Sequence, residues 1–140
     1  MRAVIDTNVL IYDCVEDSIY HSEASDILDS LKSWYIPIIV LFEFVWFFRA
    51  EGLSIHEIYD LIIQYLEDPR CRVISIRTDI FVEALSIIRD EKLSLARIND
   101  KTIVLTAKNL KIPIATFDEK LRKQASKIGI EVLPKKIKKI

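Results

Sequence analysis

The run Ala3-Val4-Ile5-Asp6-Thr7-Asn8-Val9-Leu10 decides how this chain folds. Apolar residues of strand type end abruptly in a carboxylate. A pattern compatible with a helix starts at once behind it. A strand that turns directly into a helix opens an α/β sheet, and such sheets gather ligands at the carboxyl ends of their strands. Asp6 is therefore expected to point out of the top of a sheet, away from its core.

The chain beyond repeats this alternation. A helix is expected over residues 7–14, a polar loop over 16–21, and a helix over 22–33 with Ala24, Ile27, Leu28 and Leu31 at helical spacing. Residues 35–40 form a continuous apolar run, as a buried parallel strand does. A helix then runs through Phe48 and closes at Gly52. Ser54-Ile55-His56-Glu57 has capping-box form and opens a helix to residue 66, which Asp68-Pro69 ends. A strand over 72–76 leads to a helix over 78–92 that buries Ile80, Phe81, Ala84, Leu85, Ile87 and Ile88. After a connector, Asn99 caps a helix to residue 110. A strand over 113–117, a helix from Asp118 to Gly129 and a strand over 130–133 complete the pattern. This predicts an α/β fold in one domain over residues 1–134. A central parallel sheet of about four to five strands is surrounded by about seven helices, and residues 135–140 form a basic tail.

Composition narrows the function classes. Hydrophobic residues make up 51% of the 140, enough for one sizeable core. Only two glycines occur, Gly52 and Gly129, which excludes a Gly-rich dinucleotide turn and a phosphate loop. The most apolar run, residues 34–48, contains Pro37 and Glu43 and is shorter than the roughly 20 residues that span a bilayer. Cys14 and Cys71 match no metal spacing, and no export signal is recognisable. A cytoplasmic protein with reduced core thiols is expected. The net charge of −1 hides an asymmetry: residues 1–118 carry 12 Lys/Arg against 19 Asp/Glu, whereas residues 119–140 carry 8 against 2. A basic end on an acidic body suits a polyanion, and a solvated helix face gives the same composition.

Four acids stand out. Asp6, Asp100 and Asp118 each fall at an expected helix start, where a carboxylate caps free N–H groups. Glu43 has Ile39, Val40, Trp46 and Phe47 at i±3 and i±4, so no helical register gives it a polar face. Such a carboxylate needs a cation, whether a salt bridge to Arg49 or a metal. Asp6 and Asp118 both end strand-type runs and would share one sheet edge. Four acids without His or Cys select hard cations, Mg²⁺ or Mn²⁺. His21, His56 and Cys14 have no catalytic partners in the pattern, and no nucleophile elbow occurs. A phosphatase would want a second Asp where Asn8 stands. The aromatic residues from Phe42 to Phe48 occupy more than one helix face, which predicts burial against a second subunit.

The motifs Val4-Ile5-Asp6-Thr7-Asn8-Val9-Leu10, the lone Glu43 after a strand, Asn99-Asp100 opening a helix, and Ala115-Thr116-Phe117-Asp118-Glu119-Lys120-Leu121 occur in an order and spacing that resemble a PIN-domain nuclease. The resemblance is strongest to the small VapC-type toxins of toxin–antitoxin pairs and covers nearly the whole chain. It implies a Mg²⁺- or Mn²⁺-dependent endoribonuclease, a homodimer, RNA as substrate and a small antitoxin as partner. Asp6, Glu43, Asp100 and Asp118 would be the catalytic, metal-holding set, with Asn8 and Thr116 in support. Lys101 departs from the pattern, which often has a small residue after the third acid. A nuclease of RNA maturation without an antitoxin, and a non-catalytic interaction module whose acids only cap helices, remain the alternatives. Lys120, Lys123 and Lys127 follow i, i+3, i+7 spacing and are expected to guide RNA, together with Lys101. Lys135, Lys136, Lys138 and Lys139 are expected to add a flexible, non-specific term.

Overall fold

The computed structural model of the chain describes residues 1–138. Strand β1 (Arg2–Ile5) lies at the centre of a five-stranded sheet. The strands β2 (Ser33–Pro37), β3 (Cys71–Ile74), β4 (Ile114–Ala115) and β5 (Val132–Leu133) complete it in the order β3-β2-β1-β4-β5. All four pairings are parallel, and Val4 stands opposite both Tyr35 and Ile114. Ala3, Val4 and Ile5 are fully buried, the reason β1 reads as an unbroken apolar run. The chain builds outward from β1 on one side, then crosses back to add β4 on the other. The switch point of the sheet therefore lies between the carboxyl ends of β1 and β4.

Among the described residues seven α-helices surround the sheet: α1 (Thr7–Cys14), α2 (His21–Ser30), α3 (Ile38–Ala50), α4 (Ile55–Glu67), α5 (Thr78–Asp90), α6 (Ile98–Leu110) and α7 (Glu119–Lys127). Helix α6 is the most enclosed, with Thr102 through Ala107 all buried. Its hydroxyls stay satisfied because Thr106 bonds back to the Thr102 carbonyl and Thr102 to that of Asn99. Gly52 ends α3 at φ +88°, and the Ser54–Glu57 capping box opens α4 as the sequence predicts.

The structure corrects the sequence reading at four places. The run over 35–40 is split, because β2 ends at Pro37 and α3 begins at Ile38. Apolar periodicity alone cannot divide a buried strand from the buried helix that follows it. Asn99 does not cap α6 but lies within its first turn, behind a 3-10 turn at Leu95–Arg97. On α5 only Ile80, Ala84 and Ile88 are buried, while Phe81 and Leu85 are exposed; this helix packs chiefly on α6, with a single narrow stripe. The basic tail is not free over its described part: Ile137 packs against the core and the Arg122 guanidinium donates to the Pro134 carbonyl. Lys139 lies outside the described residues.

Tyr65 ties α4 to α1. Its buried hydroxyl lies 2.6 Å from Asp13 Oδ2 and 3.1 Å from both the Leu10 carbonyl and Cys14 Sγ. Tyr65→Phe strands these groups and is expected to cost about 1–3 kcal/mol. Urea denaturation should show a lowered midpoint at unchanged slope; an unchanged midpoint would mean the hydroxyl contributes nothing.

Candidate active site

At the switch point a lattice of polar groups joins β1 to β4. Asp6 follows β1 and caps α1, its Oδ1 accepting from Thr7 N at 2.8 Å. Its Oδ2 accepts from the Thr116 hydroxyl at 2.7 Å and from Asn8 Nδ2 at 3.2 Å. Thr116 follows β4, and its oxygen also lies 3.3 Å from Asn8 Nδ2. Asn8 Oδ1 accepts from Phe117 N at 3.0 Å, and Thr116 Oγ1 accepts from Asp118 N at 3.1 Å. Asp118 caps α7, with Oδ1 taking the N–H groups of Lys120 and Leu121 at 2.9 and 3.1 Å. Asp6 and Asp118 thus do cap helices, and the same geometry places both at one sheet edge.

Glu43 enters from α3. The Thr7 hydroxyl donates to its Oε1 at 2.7 Å, and Asn99 Nδ2 lies 3.3 Å from its Oε2. The salt bridge to Arg49 does not form, since that guanidinium sits over the Trp46 ring instead. Asp100 lies in the first turn of α6, one residue beyond Asn99, and caps nothing.

The PIN domain model matches residues 3–127. The chain belongs to the PIN domain family. Among curated proteins none matches the sequence. Solved structures share the fold. VapC20 of Mycobacterium tuberculosis, described as a sarcin–ricin-loop-cleaving toxin, is 17% identical with a TM-score of 0.72, covering 91% of this chain and 95% of its own. FitAcB of Neisseria gonorrhoeae is 21% identical with a TM-score of 0.66, covering 94% and 96%. VapBC2 of Rickettsia felis, bound to a DNA fragment from its promoter, is 16% identical with a TM-score of 0.67, covering 94% and 97%.

In this PIN domain the acids act on one another. Burial pushes the Asp6 carboxyl up to about 7, its hydrogen bonds to Thr116 and Thr7 oppose that, and the charges of Asp100 and Glu43 add to it. Asp100 is also raised, by burial first and then by Asp118 and Glu43; Arg97 and Lys101 offset this in part. Lys101 therefore works on Asp100 through space. Among the described residues none of the four acids has a salt bridge. Nor do any three of the acids, among those residues, come close enough to ligate one ion as they stand. Carboxylate, amide and hydroxyl oxygens make up the donor set, which suits Mg²⁺ or Mn²⁺. Mg²⁺ commonly uses one or two carboxylates and keeps its waters. Cys14 and His21 are engaged elsewhere, Cys14 with Tyr65 and His21 with the Tyr12 carbonyl.

Of the expected RNA-binding lysines, Lys120, Lys123 and Lys127 are exposed on α7, and Lys101 is half-buried on α6. Two residues were missed as parts of the site. Thr7 and Asn99 hold Glu43, and their only sequence signal is adjacency to Asp6 and Asp100. Thr116 does not form the capping box with Glu119 that its spacing permits, because its hydroxyl serves Asp6 and Asp118.

With its carboxyl at about 7 in the fold against 3.8 as a free side chain, Asp6 keeps a proton that the unfolded chain has released between those values. Stability in EDTA is therefore expected to fall as pH rises through that window, with a slope from this group of up to about 1.4 kcal/mol per pH unit. Asp6→Asn should remove that part of the slope and melt higher at pH 8. Identical melting profiles for the two proteins over pH 4–8 would refute the burial cost.

Proposed function

We propose that this PIN domain is an endoribonuclease that hydrolyses RNA phosphodiester bonds with Mg²⁺ or Mn²⁺ held by Asp6, Glu43, Asp100 and Asp118. The observation that supports the proposal most is that Thr7 bonds both Asp6 and Glu43, Thr116 bonds Asp6 and the backbone of Asp118, and Asn99, beside Asp100, bonds Glu43, while none of the four acids has a salt bridge among the described residues. Membership in the PIN family, and fold likeness to toxins such as VapC20, support it. Asp6 and Asp100 are the direct ligands. Asp6 is held rigid by Thr7, Asn8 and Thr116 and so presents a fixed oxygen pair. Glu43, oriented by Thr7 and Asn99, and Asp118, through the oxygen its cap leaves free, position the attacking water. The ion, when bound, supplies charge neutralisation at the phosphate and acidifies water. Lys101, Lys120, Lys123 and Lys127 offset the repulsion between RNA and the acids.

The same proposal includes a homodimer and a small antitoxin partner. Trp46 is 63% exposed, Phe42 57%, Ile55 70% and Tyr59 60%, all on α3 and α4. So much exposed apolar area on neighbouring helices marks a protein contact. A structure described as a toxin–antitoxin complex from Klebsiella pneumoniae shares the fold, which supports an antitoxin here. No helix among the described residues is long and apolar enough to cross a membrane, consistent with action on RNA in the cytoplasm.

Asp6→Asn and Asp100→Asn are expected to abolish Mn²⁺-dependent RNA cleavage while the fold persists, and EDTA should do the same. Thr116→Val, which removes only a supporting hydroxyl, should lower activity about 10–100-fold. Full activity in either Asn variant would sink the assignment. In sedimentation a dimer mass is expected, falling to monomer in Trp46→Glu. A monomer of constant mass across concentration would exclude the homodimer.

A further inference from the structure

The described part of the basic tail builds a pocket beside the acidic site. A cavity of about 400 Å³ opens between Tyr20, the start of α7 and the C-terminal segment. Arg122 and Glu119 line it from α7, and Lys135, Lys136 and Lys138 close it together with Ile137. Its charge is net positive even with Glu119 counted. Arg122 fixes its place: one guanidinium nitrogen donates to the Thr116 carbonyl at 2.8 Å and another to the Pro134 carbonyl. Thr116 is the residue whose hydroxyl holds Asp6. The pocket and the acidic site are thus built on the same residue, one on its carbonyl and one on its side chain.

Tyr20 supplies the wall that charge alone does not explain. It stacks on buried Phe117 with planes 8° apart and centroids at 4.8 Å, and Tyr12 meets both rings edge-on at 5.3 Å. One face of Tyr20 is thereby held against Phe117, and the half-buried residue lines the cavity. A second basic hollow of about 700 Å³ shares Arg122 and Lys135 with the first and carries Lys123 and Lys127. A rigid aromatic ring among lysines is the arrangement that holds single-stranded nucleic acid: bases stack on the ring and cations follow the backbone.

We propose that this pocket binds one nucleotide of the single-stranded RNA flanking the cleaved bond. The base lies on Tyr20, its phosphate faces Lys136 and Lys138, and the next phosphates run past Lys135 toward Lys123 and Lys127. The inference rests on the ribonuclease reading of the acidic site. It assigns to Tyr20 and the tail lysines a positioning role for which the sequence offered only a flexible tail.

The test separates the two readings. Cleavage of a single-stranded RNA by wild type in Mn²⁺ is measured first; its absence would overturn the ribonuclease reading and this one with it. RNA affinity is then measured in the inactive Asp6→Asn background. Tyr20→Leu keeps apolar packing on Phe117 and should weaken binding about tenfold, whereas Tyr20→Phe should bind as the parent does. Lys136→Gln/Lys138→Gln should flatten the slope of log Kd against log salt by about 1.4, the value for two phosphate contacts on a single strand. Lys32→Gln/Lys92→Gln, whose side chains line neither basic hollow, should leave the slope unchanged. With cleavage intact, parent-like affinity and slope in Tyr20→Leu and in the Lys136/Lys138 variant would overturn the pocket and leave its surface to a protein contact or to solvent. An equal change in both lysine pairs would overturn it in favour of net charge alone.

Discussion

The hydroxyl of Thr116 is the joint on which this site depends. It donates to Asp6 Oδ2 at 2.7 Å and accepts from Asp118 N at 3.1 Å. A hydroxyl has one proton and two lone pairs, so it can serve an acceptor and a donor at once. It therefore fixes the carboxylate after β1 relative to the helix start after β4. Those two strands are neighbours only because the chain crosses back over the sheet, and the crossing would leave an open crevice at its carboxyl edge. Asn8 spans the same gap with both ends of its amide, donating to Asp6 and accepting from Phe117 N. The crevice is thus held at a fixed width by uncharged groups. That leaves the acids to carry the charge.

Burying an acid that lacks a cation is costly, and the fold keeps that cost in place. A protein selected for stability alone would place a lysine beside Asp6. This chain brings only Arg97 and Lys101 near, and they act on Asp100 without forming an ion pair to it. Glu43 is held by a hydroxyl and an amide, which orient it without neutralising it. On the proposed reading, the charge retained here is what would attract a cation, at the expense of stability when none is bound.

The fold was legible because its signals are local. Runs of apolar residues ending at Asp6 and near Asp118 mark strands that lead into helices, and the Ser54 capping box and Gly52 punctuate the rest. Of the four candidate acids only Glu43 breaks a pattern, by standing among aromatic residues; Asp6, Asp100 and Asp118 stand at expected helix starts and draw notice only through their joint placement. Thr7 and Asn99 were not legible, since a hydroxyl or an amide at a helix start has a sufficient local explanation. What recruits them is Glu43, which is 36 residues from Thr7 and 56 from Asn99. Residues 35–40 were misread for a related reason: buried strand and buried helix are equally apolar, and only Pro37 marks the change. In the tail Lys135, Lys136 and Lys138 are exposed, as lysines suggest, and what the lysine run hid is the packing of Ile137 against the core.

Charge then gives the site a direction. An acidic body repels a polyanion from most approaches, and cations from residues 119–140 relieve that repulsion on one flank. On that flank the chain runs from Asp118 into α7 and returns through β5 to Lys135. Both passes lie against Arg122, whose guanidinium is held by the carbonyls of Thr116 and Pro134. A charge pinned by two carbonyls cannot swing to meet a ligand as a free lysine does. It can set the relative position of the segments that bear the mobile lysines. The fold thus holds Arg122 as a brace, and on the proposed reading it leaves the exposed lysines as the contact surface. That division places cations beside the carboxylates without letting them collapse into salt bridges that would quench the site.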